Sequence, residues 1–222
     1  MSSTEPDLLP LVGGAGLLVH APEGAVREAE DALPRVDVSN LPGAWIAARR
    51  GYRRDALVLR VLCAAAPANG WASGVEEIVL ARATQLARGA LGGEVRRFSV
   101  EESSVVGRLF EQSFAGVVAR GDDTELAVSG RHWLGFAGDD PRDAILCTLA
   151  CTEPRASPSP ACETLLSGAS PVGAWLSPPA PSLVARTLLL TAERPREAAV
   201  LLVLVSLAAA ALVIARRPRP RA

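Results

Sequence analysis

Residues Ala198 to Ala215, AAVLLVLVSLAAAALVIA, form one apolar run broken only by Ser206, and Arg216, Arg217, Arg219 and Arg221 follow at once. A helix rises about 1.5 Å per residue, so the run reaches roughly 27 Å, close to a hydrocarbon core of about 30 Å. It lacks the polar stripe of a helix packed on a soluble core, and Ser206 can bond back to its own helix. The pattern predicts a single-pass transmembrane helix at Ala198–Ala215, with the lipid bilayer as a partner and an Arg-rich tail at 216–222.

Two signals compete over which face of the membrane carries the rest of the chain. The four arginines after the run, against an N-terminal flank where Arg194 and Arg196 are offset by Glu193 and Glu197, favour a cytoplasmic tail and an external domain. The N-terminus, MSSTEPDLLPLVGGAGLLVHAPE, has no basic region and an apolar stretch interrupted by glycines, so it does not read as a secretory signal. A span this close to the end of the sequence inserts after synthesis, as a tail anchor does, which leaves the preceding domain in the cytoplasm. The expectation is a membrane protein with a cytoplasmic domain; the periplasmic placement is the competing reading.

About 180 residues precede the anchor and its approach, enough for one domain. Formal net charge is -1, which excludes the bulk basic field of a nucleic-acid binder. Aromatic residues make up 4%, leaving little material for stacking on bases or sugars. Every basic residue is arginine, which together with abundant Ala, Gly and Pro reflects a GC-rich, bacterial type of coding bias rather than a demand for guanidinium chemistry.

Residues 1–40 are loosely patterned, with Leu8–Val19 as a short strand or docked segment and Ala25–Leu33 as a turn or two of helix. The pattern sharpens in 41–168. Ala44–Arg49 and Ala56–Cys63 read as strands joined by the polar turn Gly51–Asp55. Ser73 is placed as an N-cap with Glu76 at the capping-box spacing. The helix it starts runs to Gly92-Gly93, with Val75, Ile78, Val79, Ala83, Leu86 and Ala90 on its buried face and Glu76, Glu77, Arg82, Gln85 and Arg88 outward. Strands follow at Glu94–Val100, Ser104–Phe110, Gln112–Ala119, Leu126–Val128, Arg131–Ala137 and Ala144–Thr152, then a short helix over Ser159–Gly168. Residues 169–182 hold four prolines and read as a linker, and 183–197 as a juxtamembrane segment. The expected fold class is α+β: an antiparallel sheet flanked by helices, plus one C-terminal transmembrane helix.

The strand ALVLRVLC, the helix GVEEIVLARATQLARGAL and the closing pair RHWLGFAGDDPRDAILCTLACTEP and ACETLLSG are similar in order to the Mog1/PsbP-like family of small α/β/α sandwich domains, over residues 40 to 170. That resemblance implies a largely non-enzymatic accessory or binding module, often at membranes or in larger assemblies. It transfers no functional residue, because no site motif of the family is matched.

The chemistry-bearing residues are sparse. A Ser/His/acid triad would have to use His20 or His132, and His132 sits between Arg131 and Trp133 in a strand pattern, where a sheet residue is the simpler reading. VGGAGLL at 12–18 lacks the third Gly or the Lys of a phosphate-binding loop. The acid pairs Glu76-Glu77, Glu101-Glu102, Asp122-Asp123 and Asp139-Asp140 read as solvated turns and faces. Cys63, Cys147, Cys151 and Cys162 leave three readings open: packed thiols, a Cys151–Cys162 disulfide if the domain is not cytoplasmic, or a metal site whose spacing fits zinc poorly. No catalytic residue, metal or cofactor is assigned. The expected function is a membrane-anchored, non-catalytic accessory domain that binds a protein partner or supports an assembly. The alternative is a small-ligand or lipid-binding module, with an apolar pocket lined from the Ser73–Leu91 helix and the Arg131–Ala137 strand.

Overall fold

Stretches of period-two alternation recur along the chain, and the computed structural model resolves them into two antiparallel sheets. It describes residues 6–38, 43–68, 94–119, 125–139, 142–154 and 161–179, with helical positions at 76, 79, 80, 83, 87, 88 and 91. A three-stranded sheet has the order β1-β2-β11, from Asp7–Pro10, Ala15–Val19 and Ser170–Gly173. The larger sheet runs β3-β4-β5-β10-β9-β8-β6. Its strands are β3 (Val26–Arg27), β4 (Trp45–Arg54), β5 (Leu57–Pro67), β6 (Glu94–Val100), β8 (Leu109–Ala119), β9 (Glu125–Ala137) and β10 (Asp143–Pro154). The short β7 (Ser104–Val106) also pairs with β8.

The expected helix-flanked α+β sandwich is therefore corrected to a predominantly β architecture in which a second sheet covers one face of the first. Leu9, Leu17 and Val19 of the small sheet share one core with Leu59, Val61, Trp133, Ile145 and Leu149 of the large one. The error lay in stretches that looked unstructured. Leu8–Val19 is too short and too glycine-rich to announce two strands, yet Leu9 pairs with Leu17 and Leu8 with Leu18. Ser170–Gly173, inside the proline-rich stretch, completes that sheet beside Ala15–Leu18, where an edge strand tolerates Pro171. Beyond it Leu176 donates its N–H to the Phe136 carbonyl, and Arg108 and Arg142 donate to the carbonyls of Trp175 and Ser177.

The segment VGGAG forms a 3-10 turn at Val12–Gly14. Gly13 has φ +62°, and a Cβ there would run into the Gly138 backbone. The glycines serve close backbone approach between the sheets rather than an anion cradle.

On the opposite face of the large sheet, helical positions Ala87 and Leu91 pack with Phe114, Val118, Val128 and Ala150. Leu80 and Ala83 are also buried, and Glu76 with them, whereas Arg88 points outward. The buried stripe is thus rotated from the expected one: Ala83 belongs to both, Val79 is half-buried, and Val75, Ile78, Leu86 and Ala90 lie outside the described residues. The second helix, α1 (Ala161–Gly168), is eight residues long and buries Cys162 and Leu166.

The expected membrane span at Ala198–Ala215, the juxtamembrane segment 183–197 and the tail lie outside the described residues. Among the described residues no helix is long and apolar enough to cross a membrane. The single-pass, tail-anchored assignment with a cytoplasmic domain is corrected accordingly: what the fold presents is a two-sheet domain with one short, half-exposed helix and a helical segment packed on the sheet.

Candidate functional site: an arginine-lined groove

The segment GYRRD, expected as a polar turn, continues strand β4, and the turn to β5 is the dipeptide Asp55-Ala56 alone, with Arg54 paired to Leu57. Asp55 takes the left-handed conformation such tight hairpins need, at φ 54°. Extending β4 puts a row of arginines in register with β5. Arg49, Gly51 and Arg53 oppose Leu62, Arg60 and Val58 on the helix side of the sheet, and Arg50 and Tyr52 oppose Val61 and Leu59 on the other. Arginine stems are long enough to lie over apolar surface while their heads stay polar, which is how so charged a strand is accommodated.

Each side has its own acid. Toward the small sheet, Asp7 accepts from the Tyr52 hydroxyl at 2.5 Å and pairs with Arg50 at 3.3 Å. Burial, followed by the Asp7 contact, raises the Tyr52 pKa above its ordinary value, so the phenol stays protonated. Toward the helix, Glu28 carries two guanidinium groups. Arg60 donates from Nε to Oε2 at 2.9 Å and from a terminal nitrogen to Oε1 at 3.2 Å, and Arg53 donates to Oε1 at 2.7 Å. Burial pushes the Glu28 carboxyl up, but the two arginines together outweigh it and hold its pKa below the usual carboxylate range. Arg60 also donates to the Leu91 carbonyl at 3.0 Å, linking the end of the helical segment to Glu28.

Between this network and the chain from Arg27 to Val36 runs an open groove. Its central hollow is about 330 Å³ and is lined by Arg27, Glu28, Glu30, Leu33, Arg49 and Arg50. Adjoining hollows of about 370 Å³ extend past Arg53 and Asp55 at one end and Asp31 and Arg35 at the other. Leu33, Pro34 and Val36 give part of it an apolar wall. Seven arginines line these hollows against four acids, in a protein whose net charge is -1. Arg27 and Arg35 are exposed. Composition, which attributes the arginines to coding bias, does not reveal this concentration; the one sequence signal is the density of arginine in AARRGYRRD.

The sequence-derived candidates fall elsewhere. Cys151 on β10 and Cys162 on α1 are bonded to each other, with Cα atoms 5.5 Å apart. Cys63 and Cys147, expected as packed thiols, sit opposite each other on β5 and β10 and form a second disulfide, with Cα atoms 4.0 Å apart. Among the described residues no cysteine is free and no group of His, Cys, Asp or Glu is placed to hold a metal. His132 is fully buried. Its Nδ1 shares a 2.9 Å hydrogen bond with the Thr148 hydroxyl, and its ring stacks on Phe114 with centroids 4.5 Å apart. Its Nε2 has no partner among the described residues, and burial lowers its pKa to about 3.

No known protein family matches the chain, and no curated protein matches it in sequence. Among solved structures it is similar to LpqN, described as involved in cell envelope biogenesis of Mycobacterium tuberculosis. That likeness has 10% sequence identity and a TM-score of 0.42, and covers 76% of this chain and 91% of LpqN.

Proposed function

We propose that this is a non-catalytic accessory domain that binds a protein partner through the β4 groove, in an oxidising compartment. The groove carries the reading. It is long, open and shallow, with charged rims and an apolar wall, the form of a polypeptide-binding surface rather than of an enclosed small-molecule pocket. The two disulfides support the compartment, since cytosolic thiols are kept reduced. Between sheet and helical segment, where an apolar ligand pocket was the alternative, the described residues Ala87, Leu91, Phe114, Val118, Val128 and Ala150 pack as one apolar cluster.

The test is site-specific photocrosslinking of the full-length protein in its own cells. A photoreactive amino acid replaces Arg49 in the groove or, as control, Ser167 on the exposed side of α1. A discrete protein adduct at Arg49 and not at Ser167 is expected. Equal adducts at both positions, or none at Arg49, would overturn the reading.

A further inference from the structure

The identity of the bound segment follows from three observations, and the inference rests on the groove being a protein-binding surface. The first is unspent charge. Among the described residues the side chains of Arg27 and Arg35 have no hydrogen bond or ion pair, and that of Arg49 meets Glu30 at 3.2 Å, whose side chain is 78% exposed. An ion pair this open is weak and exchangeable.

The second is the outer edge of β4. β3 covers β4 only at Tyr52 and Arg53, and the Glu28 N–H takes the Gly51 carbonyl. Among the described residues no strand lies beside β4 from Trp45 to Arg50. Both backbone polar groups of an antiparallel residue point the same way, and the direction alternates along the strand. Gly51 therefore faces outward, and so does the backbone of Arg49. Trp45, at the start of this edge, is 38% exposed.

The third is the spacing of charge. Glu28, Glu30 and Asp31 alternate with the arginines along the groove, so a compact multivalent anion would meet repulsion beside every attraction. An extended chain instead places every second side chain on one side, about 7 Å apart, with apolar residues between them free to meet Leu33 and Val36.

We propose that the groove takes an acidic, extended segment of a partner protein, added as a strand along the outer edge of β4, with the carboxylates of one side on Arg35 and Arg49, which line one hollow. Main-chain hydrogen bonds fix the register, and the arginines select the sequence.

The experiment uses the full-length oxidised protein and a fluorescein-labelled nine-residue peptide alternating Glu and Val, with Gln–Val and Lys–Val counterparts, read by anisotropy. The Glu peptide is expected to bind at least tenfold tighter than the Gln peptide and to weaken steeply with salt. The variant R35A should bind it at least fivefold more weakly with an unchanged melting temperature, because this side chain is exposed and has no partner among the described residues. Amide exchange at Arg49 should slow on binding. Equal affinity for the Gln peptide, no effect of R35A, or displacement of the peptide by equimolar tripolyphosphate would overturn the inference. If no peptide binds while the Arg49 photocrosslink still captures a protein, the acidic-strand inference fails and the protein-binding reading stands. If both fail, both are wrong.

Discussion

His132 makes folding stability depend on pH in a window where few other groups act. Its ring is buried between β8 and β10, and burial lowers its pKa from 6.5 to about 3. A histidine with a depressed native pKa is neutral in the fold and takes up a proton on unfolding. Protonation therefore favours the unfolded chain, and stability falls as pH drops below 6.5 until the native pKa is reached. One proton is worth about 1.4 kcal/mol per pH unit, so between pH 7 and pH 5 the loss is about 2 kcal/mol. For a domain of this size that is about 4–8 °C in melting temperature. Glu28 adds to acid loss only at lower pH, because its pKa lies below the carboxylate range and its contribution disappears as pH falls through that value. The comparison is wild type against His132→Phe, which keeps a ring on Phe114 but cannot titrate. Urea unfolding at pH 7, 6 and 5 should show the wild type losing about 2 kcal/mol relative to the variant, whatever the variant's absolute stability. Parallel pH dependences would refute the reasoning and place the His132 ring in contact with water.

Glu28→Gln leaves the Arg60 guanidinium, 10% exposed, beside a neutral amide; we expect a loss of about 2–3 kcal/mol by urea unfolding. The same substitution should release the groove wall, seen as faster amide exchange at Glu28 and its neighbours. Gly130→Ala would drive a methyl into the Phe114 ring and the Leu149 carbonyl, at an expected cost of about 1–3 kcal/mol in the same assay. Replacing Cys151 and Cys162 by Ala opens a link 11 residues apart in sequence, for about 3 kcal/mol on chain-entropy grounds. Intact mass under non-reducing conditions should show four fewer hydrogens than the fully reduced chain; a difference of two would leave only one of the two bonds.

The central part of the sheet was legible because its strands carry their pattern in adjacent residues. Glu94–Val100 coincides with β6, and Ala144–Thr152 lies within β10. What escaped were contacts over long separations. Leu17 gives no sign that Pro171 will lie beside it, more than 150 residues away. Cys63 and Cys147 lie 84 residues apart and become neighbours only once β5 and β10 are known to pair. GYRRD misled for a different reason: glycine and charge mark turns on average, but Arg50 and Arg53 find Asp7 and Glu28, and Gly51 makes room for Glu28 and Leu33, where a Cβ would collide. Gly130 was read as a gap between two strands, yet it sits inside β9, where its missing side chain is the seat of the Phe114 ring.

The groove was invisible for a reason that also explains how it can work. A count of charges treats every arginine alike, whereas the fold divides them by whether their charge is already answered. Arg60 and Arg53 are committed to Glu28, and Arg108 and Arg142 to backbone carbonyls of the 175–177 segment. Removing any of these changes the fold before it changes a surface. Among the described residues the Arg35 side chain has no hydrogen-bond or ion-pair partner, and Arg49 meets an exposed Glu30. Committed arginines hold the rim rigid, so a ligand meeting the uncommitted ones need not order them from a floppy loop, and that saving in conformational entropy favours binding. This division orders the mutations. Loss at Arg53 or Arg60 should lower stability and binding together, and loss at Arg35 should lower binding alone.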